Sequence, residues 1–431
     1  MAEDFGKKVG KSVVVKGWVD AIRDQGGIKF VVLRIENEKI QLVVSKNHHD
    51  AYNSIKDLTC ESVIEASGKV KAENQAPGGF EIEAEEIKTL SLSSPILPIP
   101  MSEKIEKEAS LDKRLDWRWL DLRKSKNKLI FQVWTTMEQA MRNYWTSNGY
   151  IQIHSPKLMS SPSEGSAELF EIKYFDRKAY LAQSPQFYKQ MAMAAGFGKV
   201  FEIGPVFRAN PSFTSRHDTE FTSYDMELSY IDSHFDIMAE EEKVKHAALD
   251  AISKQYGEAI LEEYGRKIVV PKIPFPKITM AEAKAKLKLA GVTSDKEDLS
   301  PEEEREICKI MKKETGHEFV FVTDFPVNVR PFYHMRNQDG KTTKSYDLLW
   351  NGIEATTGAQ REHRYDILVK QAKEKGIGLE SIKFYLDFFK YGCPPHGGCG
   401  FGPTRMLMKI FDIENVREVT FLYRGVKRLE P

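Results

Sequence analysis

Between residues 12 and 83 the apolar positions come in short runs of β-favouring residues. Val13-Val14-Val15, Lys29-Phe30-Val31-Val32-Leu33, Ile40-Gln41-Leu42-Val43-Val44, Ser62-Val63-Ile64-Glu65-Ala66 and Gly79-Phe80-Glu81-Ile82-Glu83 each read as a strand. Turn signals such as Gln25-Gly26-Gly27 and Ala76-Pro77-Gly78-Gly79 separate them. Five strands with one polar interruption at 47–57 suit a small Greek-key barrel of the OB type, with a sandwich fragment as the alternative. The Ser- and Pro-rich stretch 90–101 suits neither strand nor helix and reads as a semi-rigid linker. From Asn127 the period changes to that of a helix. Ile130, Val133, Trp134, Met137, Met141, Tyr144 and Trp145 fall on one face, and Gly149 stops it. Strand-like pieces at 150–154, 179–181, 200–203, 222–230, 319–323 and 345–349 then alternate irregularly with helices. The pattern predicts an α+β second domain, a mostly antiparallel sheet flanked by helices. Residues 270–318 are charged and helix-prone, with Ser300-Pro301-Glu302-Glu303-Glu304 as a helix start, and predict a helical insertion. The expected organisation is therefore a barrel at 1–95, a linker or hinge at 96–126, and the larger domain at 127–431.

Composition narrows the class. At 431 residues with 41% hydrophobic and 29% charged content, the chain has material for two cores. No apolar run approaches the ~20 residues of a bilayer span, and the start Met1-Ala2-Glu3-Asp4 is not that of a signal peptide. Four scattered cysteines complete no zinc-ligand set, so reduced thiols in a cytoplasmic protein are expected. Net charge is zero, and residues 1–95 hold 13 Lys/Arg against 15 Asp/Glu. Any nucleic acid must be met through a local groove and stacking rather than by bulk attraction.

Three clusters carry candidate chemistry. Phe207-Arg208-Ala209-Asn210, followed by Arg216-His217 and Glu220-Phe221, places two arginines on a strand–loop–strand, either a phosphate cradle or a solvated face. Asp347 and Glu354, with Gln360-Arg361 beyond, are either a Mg²⁺ pair or carboxylates salt-bridged to Arg361. Gly397-Gly398-Cys399-Gly400-Phe401-Gly402-Pro403-Thr404-Arg405 is a glycine-dense entry to an apolar helix without the Walker ending.

Together with Gly17-Trp18-Val19, Arg23-Asp24-Gln25-Gly26-Gly27-Ile28-Lys29-Phe30 and Arg114-Leu115-Asp116-Trp117-Arg118, these clusters resemble the class II aminoacyl-tRNA synthetases. The similarity spans essentially the whole chain and is closest to the aspartyl branch of archaeal-like short type. It implies an anticodon-binding OB domain, a homodimer built on the helix and strand ending at Pro156, and ATP, Mg²⁺, L-aspartate and tRNA(Asp) as ligands, with tRNA(Asn) as a further substrate. By the same resemblance Arg208 binds the α-phosphate. Phe221 and Arg405 sandwich adenine, with Asn210 at its edge and Arg216 and His217 toward the outer phosphates. Asp347 and Glu354 hold Mg²⁺. Ser184, Gln186, Lys189, Asp225 and Arg361 line the aspartate pocket, and Glu164 belongs to a loop that closes over it. Arg23, Phe30 and Gln41 face the anticodon, although a strand Phe such as Phe30 is more often core.

Lys189 and Arg361 around one side-chain carboxylate would select aspartate over asparagine, because a neutral amide leaves buried cationic donors poorly compensated. The sequence departs from the family at Asn210 and Thr404, where acids are usual, and in Phe421-Leu422-Tyr423-Arg424-Gly425. Two rival readings follow: a paralogue making asparagine from aspartyl-adenylate without tRNA, and a non-catalytic protein that holds tRNA or ATP.

Overall fold

A computed structural model describes residues 5–36, 38–102, 108–161, 168–211, 214–292 and 294–431. The chain divides into two compact units, Met1–Ser125 and Lys126–Pro431.

In the first unit, β1 (Ser12–Asp24), β2 (Ile28–Ile35), β3 (Glu38–Ser45), β4 (Val63–Ala72) and β5 (Phe80–Ser91) close into a barrel in the order β1-β2-β3-β5-β4. Alternation along β1 sends Val13, Val15 and Val19 inward against Val31, Leu33, Ile40, Leu42, Ile64 and Ile82. The polar interruption contains a short helix, α1 (His49–Ser54). Glu61 is buried and accepts from Arg34 Nη2 at 2.7 Å and Arg123 Nη1 at 2.9 Å, while Arg34 also reaches Asp20 at 3.1 Å. The proline-rich stretch is not featureless: Ile99 and Met101 pack with Leu120 in a small cluster of their own.

The second unit is built on an eight-stranded sheet. Its strands, in chain order, are β6 (Ile151–Gln152), β10 (Lys199–Phe207), β11 (Glu220–Ser229), β12 (Lys277–Thr279), β13 (Phe319–Thr323), β14 (Ser345–Trp350), β15 (Ile353–Gln360) and β16 (His396–Phe401). Between β6 and β10, strands β7 (Leu158–Met159), β8 (Glu171–Tyr174) and β9 (Arg177–Leu181) form a separate small sheet. The large sheet runs β12-β13-β14-β15-β16-β11-β10-β6 and is antiparallel except at its two ends, where β12–β13 and β10–β6 are parallel.

Helix α2 (Ser125–Ser147) lays Leu129, Ile130, Val133, Met137, Met141 and Trp145 on the sheet, and leaves Trp134 and Tyr144 at the margin. Tucked beside β10 and β11 is α3 (Gln186–Ala194). The 31-residue α4 (His234–Tyr264) opens on a Ser233/Asp236 capping box and stops at a left-handed Gly265. The segment expected as a helical insertion has a strand as well as helices. It carries α5 (Met280–Leu289) and α6 (Pro301–Thr315), but β12 precedes them and extends the main sheet, so this segment is anchored by backbone pairing as well as packing. The Ser300 hydroxyl accepts from the Glu303 amide, and the Glu303 carboxylate accepts in return from the Ser300 amide, which satisfies two first-turn donors of α6. Helix α7 (Pro403–Phe411) follows β16 and packs its apolar side into the core.

Removing the cap by Ser300→Ala should lower unfolding free energy by about 1 kcal/mol. Urea unfolding checks this, with Ser300→Asp expected to restore most of the loss.

Candidate functional site

The site is organised by one strand. Along β11 successive side chains alternate, so Phe221, Ser223, Asp225 and Glu227 share a face and run as a row. Phe221 sits opposite Val206 near the loop end, and Asp225 and Glu227 lie deeper, opposite Gly400 and Gly398 of β16. Those glycines make room for the carboxylates. A Cβ on Gly400 would lie 2.6 Å from Asp225 Oδ1, and one on Gly398 would overlap the Glu227 carboxylate and the Met226 carbonyl. The glycine-dense run therefore brings backbone close to two acids of its own chain, a reason that composition did not reveal.

Lys189, from the first turn of α3, reaches across to this row. Its Nζ lies 2.9 Å from Asp225 Oδ1, 3.1 Å from the Cys399 carbonyl and 3.5 Å from Glu227 Oε2. Arg361, just past β15, donates from Nε to Glu227 Oε1 at 3.0 Å and from Nη2 to the Gly398 carbonyl at 2.9 Å. Its Nη1 lies 3.0 Å from His334 Nε2. Lys189, Asp225, Glu227 and Arg361 are each buried to 4% exposure or less. Two cations and two carboxylates thus form a neutral set, with Glu227 shared. This differs from the expectation of two cations set around a substrate carboxylate alone: both are already paired with carboxylates of the chain. The Ser223 hydroxyl completes the set by donating to Asp225 Oδ2 at 2.6 Å.

At the other end of the row the Arg208 guanidinium stands 5.5 Å over the Phe221 ring. Arg405, in the first turn of α7, donates to the Glu354 carbonyl at 2.8 Å and lies 3.3 Å from its carboxylate. Burial works to raise the Glu354 carboxyl, but Arg405 and Arg330 outweigh it and hold it below the ordinary range. Arg216 reaches Glu304 of α6 at 3.1 Å. Burial, with Glu354 nearby, pushes the Glu304 carboxyl up to about 7. Asp347 pairs through Oδ2 with Arg330 at 2.7 Å, yet its buried Oδ1 has no hydrogen-bond partner among the described residues. Burial also raises Asp347 despite Arg330. Burial, then the Arg405 charge, lowers the pKa of His217.

Ser184, Gln186, Lys189, Arg208, Asn210, Arg216, His217, Phe221, Asp225, Glu354, Arg361 and Arg405 all line one cavity of about 500 Å³. Asp347 sits on the neighbouring strand β14, and Glu164 lies outside the described residues. In the barrel unit, Phe30 and Arg23 pair across β1 and β2 and Gln41 pairs with Val32 across β2 and β3, outside the barrel core. Gln41 donates to Glu81 at 3.1 Å.

Comparison with known proteins decides the family. Residues 110–424 match the model of tRNA synthetases class II (D, K and N), and residues 13–90 match the OB-fold nucleic acid binding domain. The chain belongs to the class II tRNA synthetases. It is 43% identical over 425 residues to the aspartate–tRNA(Asp/Asn) ligase of Methanopyrus kandleri, covering 98% of this chain and 96% of that one. To the aspartate–tRNA(Asp) ligase of Pyrococcus abyssi it is 40% identical over 426 residues, 98% and 97% of the two chains. Among solved structures, the asparaginyl-tRNA synthetase from Pyrococcus horikoshii complexed with asparaginyl-adenylate superposes with a TM-score of 0.91 at 31% identity, covering 99% and 97%.

The cavity and its walls also hold groups that sequence reasoning passed over. Glu227 is the shared counter-ion, and its spacing of two from Asp225 on a strand was the available signal. His334 had none: its partner Arg361 is distant in sequence, and an isolated β-bridge brings them together. Asp218 lines the cavity with a buried Oδ1 that has no hydrogen-bond partner among the described residues, and burial pushes its carboxyl up to about 7.

Glu227→Ala would leave two buried cations short of a counter-ion, a class of change that costs about 3–5 kcal/mol. Urea unfolding should show this synthetase variant destabilised well beyond Glu227→Gln, which keeps the volume and one acceptor.

Proposed function

We propose that this synthetase is an aspartate–tRNA ligase that activates L-aspartate with ATP and transfers it to tRNA(Asp) and also to tRNA(Asn). The observation that carries this reading is Lys189, held with Arg361 around Glu227 on the wall of the cavity that also holds the arginine-rich end. The N–H donors that Lys189 and Arg361 bring to this wall suit a side-chain carboxylate, whose two oxygens only accept, whereas an amide turns a donor of its own toward them. The relatives named for aspartate, at about two-fifths identity over nearly the whole chain, support the same choice, and one of them is named for both tRNAs.

In this reading Asp225 and Gln186 hold the aspartate ammonium, with Ser184 beside them and Glu164 in the loop that closes over the pocket. Phe221 and Arg405 sandwich the adenine, Asn210 lies at its edge as an acceptor, and Arg216 and His217 face the outer phosphates. Arg208 neutralises charge at the α-phosphate as the substrate α-carboxylate attacks and diphosphate leaves. A ribose hydroxyl of the tRNA then attacks the acyl carbon and AMP departs. Positioning and charge neutralisation suffice for both steps, so an enzyme nucleophile is not required.

Asp347 and Glu354 would hold Mg²⁺, for which the orphaned Asp347 Oδ1 and the raised carboxyls of Asp347 and Glu304 are suited. The ion, when bound, supplies charge neutralisation to the phosphates. Arg23, Phe30 and Gln41 offer an aromatic face and polar groups to the anticodon. A homodimer through α2 is supported by the hollow that Phe131, Trp134 and Glu138 line on its outer side. No helix among the described residues is long and apolar enough to cross a membrane, and a cytoplasmic enzyme fits that. Retention of the barrel disfavours a tRNA-independent paralogue making asparagine.

Aspartate-dependent ATP–diphosphate exchange should be observed, together with charging of tRNA(Asp) and tRNA(Asn) transcripts. No exchange above background would sink the ligase reading, and charging of tRNA(Asp) alone would narrow it. Lys189→Leu should raise the aspartate KM roughly a hundredfold or abolish activation, with ATP binding largely intact. An unchanged aspartate response would remove Lys189 from the pocket.

A further inference from the structure

His334 is 3% exposed and lines the same cavity as Lys189 and Arg361. Its contact with Arg361 fixes its chemistry. A guanidinium only donates, so at 3.0 Å from Arg361 Nη1 the His334 Nε2 must present its lone pair. Burial, followed by Arg361, Arg330 and Lys189, holds the imidazole neutral. The single ring proton is therefore on Nδ1. That N–H is buried and has no hydrogen-bond partner among the described residues. A buried donor without an acceptor is unfavourable and is relieved by a group that supplies one. Nearby, Lys189 points its donors at Asp225 and the Cys399 carbonyl, and Arg361 directs its own at Glu227, Gly398 and His334 itself.

We propose that His334 Nδ1–H is a third donor to the side-chain carboxylate of the bound amino acid, beside Lys189 and Arg361. The assignment rests on the aspartate reading above and deepens it. The imidazole adds a hydrogen bond without adding charge to a set that is already neutral. Both oxygens of a carboxylate accept, whereas one end of an asparagine amide donates and would meet a donor. His334 thus contributes to substrate selection as well as to affinity.

Three variants in ATP–diphosphate exchange test this. His334→Asn keeps an amide donor near the Nδ1 position, His334→Gln keeps a polar group near Nε2 facing Arg361, and His334→Leu keeps neither. Leu and Gln should each raise the aspartate KM roughly tenfold or more, while Asn stays within about threefold of wild type and the ATP KM moves less than about twofold throughout. The preference for aspartate over asparagine should fall in the Leu variant. Retention by Gln with loss in Asn would overturn the proposal and leave His334 only positioning Arg361. An indifferent Leu variant would overturn it too. Thermal unfolding confirms that each variant is folded, and if Leu is not, the Asn–Gln pair decides. Absence of exchange in the wild type removes the aspartate reading and this proposal together. An active wild type with indifferent variants removes the proposal alone.

Discussion

Glu227 is fully buried between two cations that arrive from opposite directions, Lys189 from a helix and Arg361 from the end of a strand. Such a group survives burial only because its charge is matched and its oxygens accept hydrogen bonds. The surrounding structure follows from accommodating it. Gly398 must lack a side chain because Glu227 lies over it, and Gly400 likewise for Asp225. Arg361 is pinned at three of its nitrogens, so its guanidinium has one orientation, and Lys189 is drawn out of its helix face into the sheet.

The row along β11 then separates two electrostatic environments on one rigid strand. The deep end is neutral and closely paired. The loop end mixes arginines with acids that burial raises: Asp347 and Glu304, together with Asp218 close by. In the proposed reading the deep end would orient the amino acid and the loop end would meet the phosphates. The arginines there are held by acids from other elements, Arg216 by Glu304 and Arg405 by Glu354, which sets their orientation in advance.

Much of this was legible in the chain. Strand alternation in the barrel, the helical period after Asn127 and the Ser300 cap all reappear, because each depends on neighbours a few residues away. The segment 270–318 was read as a helical insertion without its strand, since a three-residue strand such as β12 has too short a pattern to see and is stabilised by its pairing with β13. Phe30 was ambiguous, because alternation shows which residues share a face without saying which face is inside. The closed barrel puts Val31 and Leu33 in the core and leaves Phe30 outside it.

For the site, residue types and order along the sequence were enough to name the arginines, the lysine and the acids, and to recognise the synthetase family. Their charge states and partners were not readable there. Whether Lys189 stands alone or shares Glu227 with Arg361, and which ring nitrogen of His334 carries the proton, depends on contacts between residues 27 to 134 positions apart. Local sequence sets which hydrogen-bonding groups a segment offers. Only the assembled sheet, with β16 between β11 and β15, decides which of them meet out of water, where pairing determines both charge and orientation.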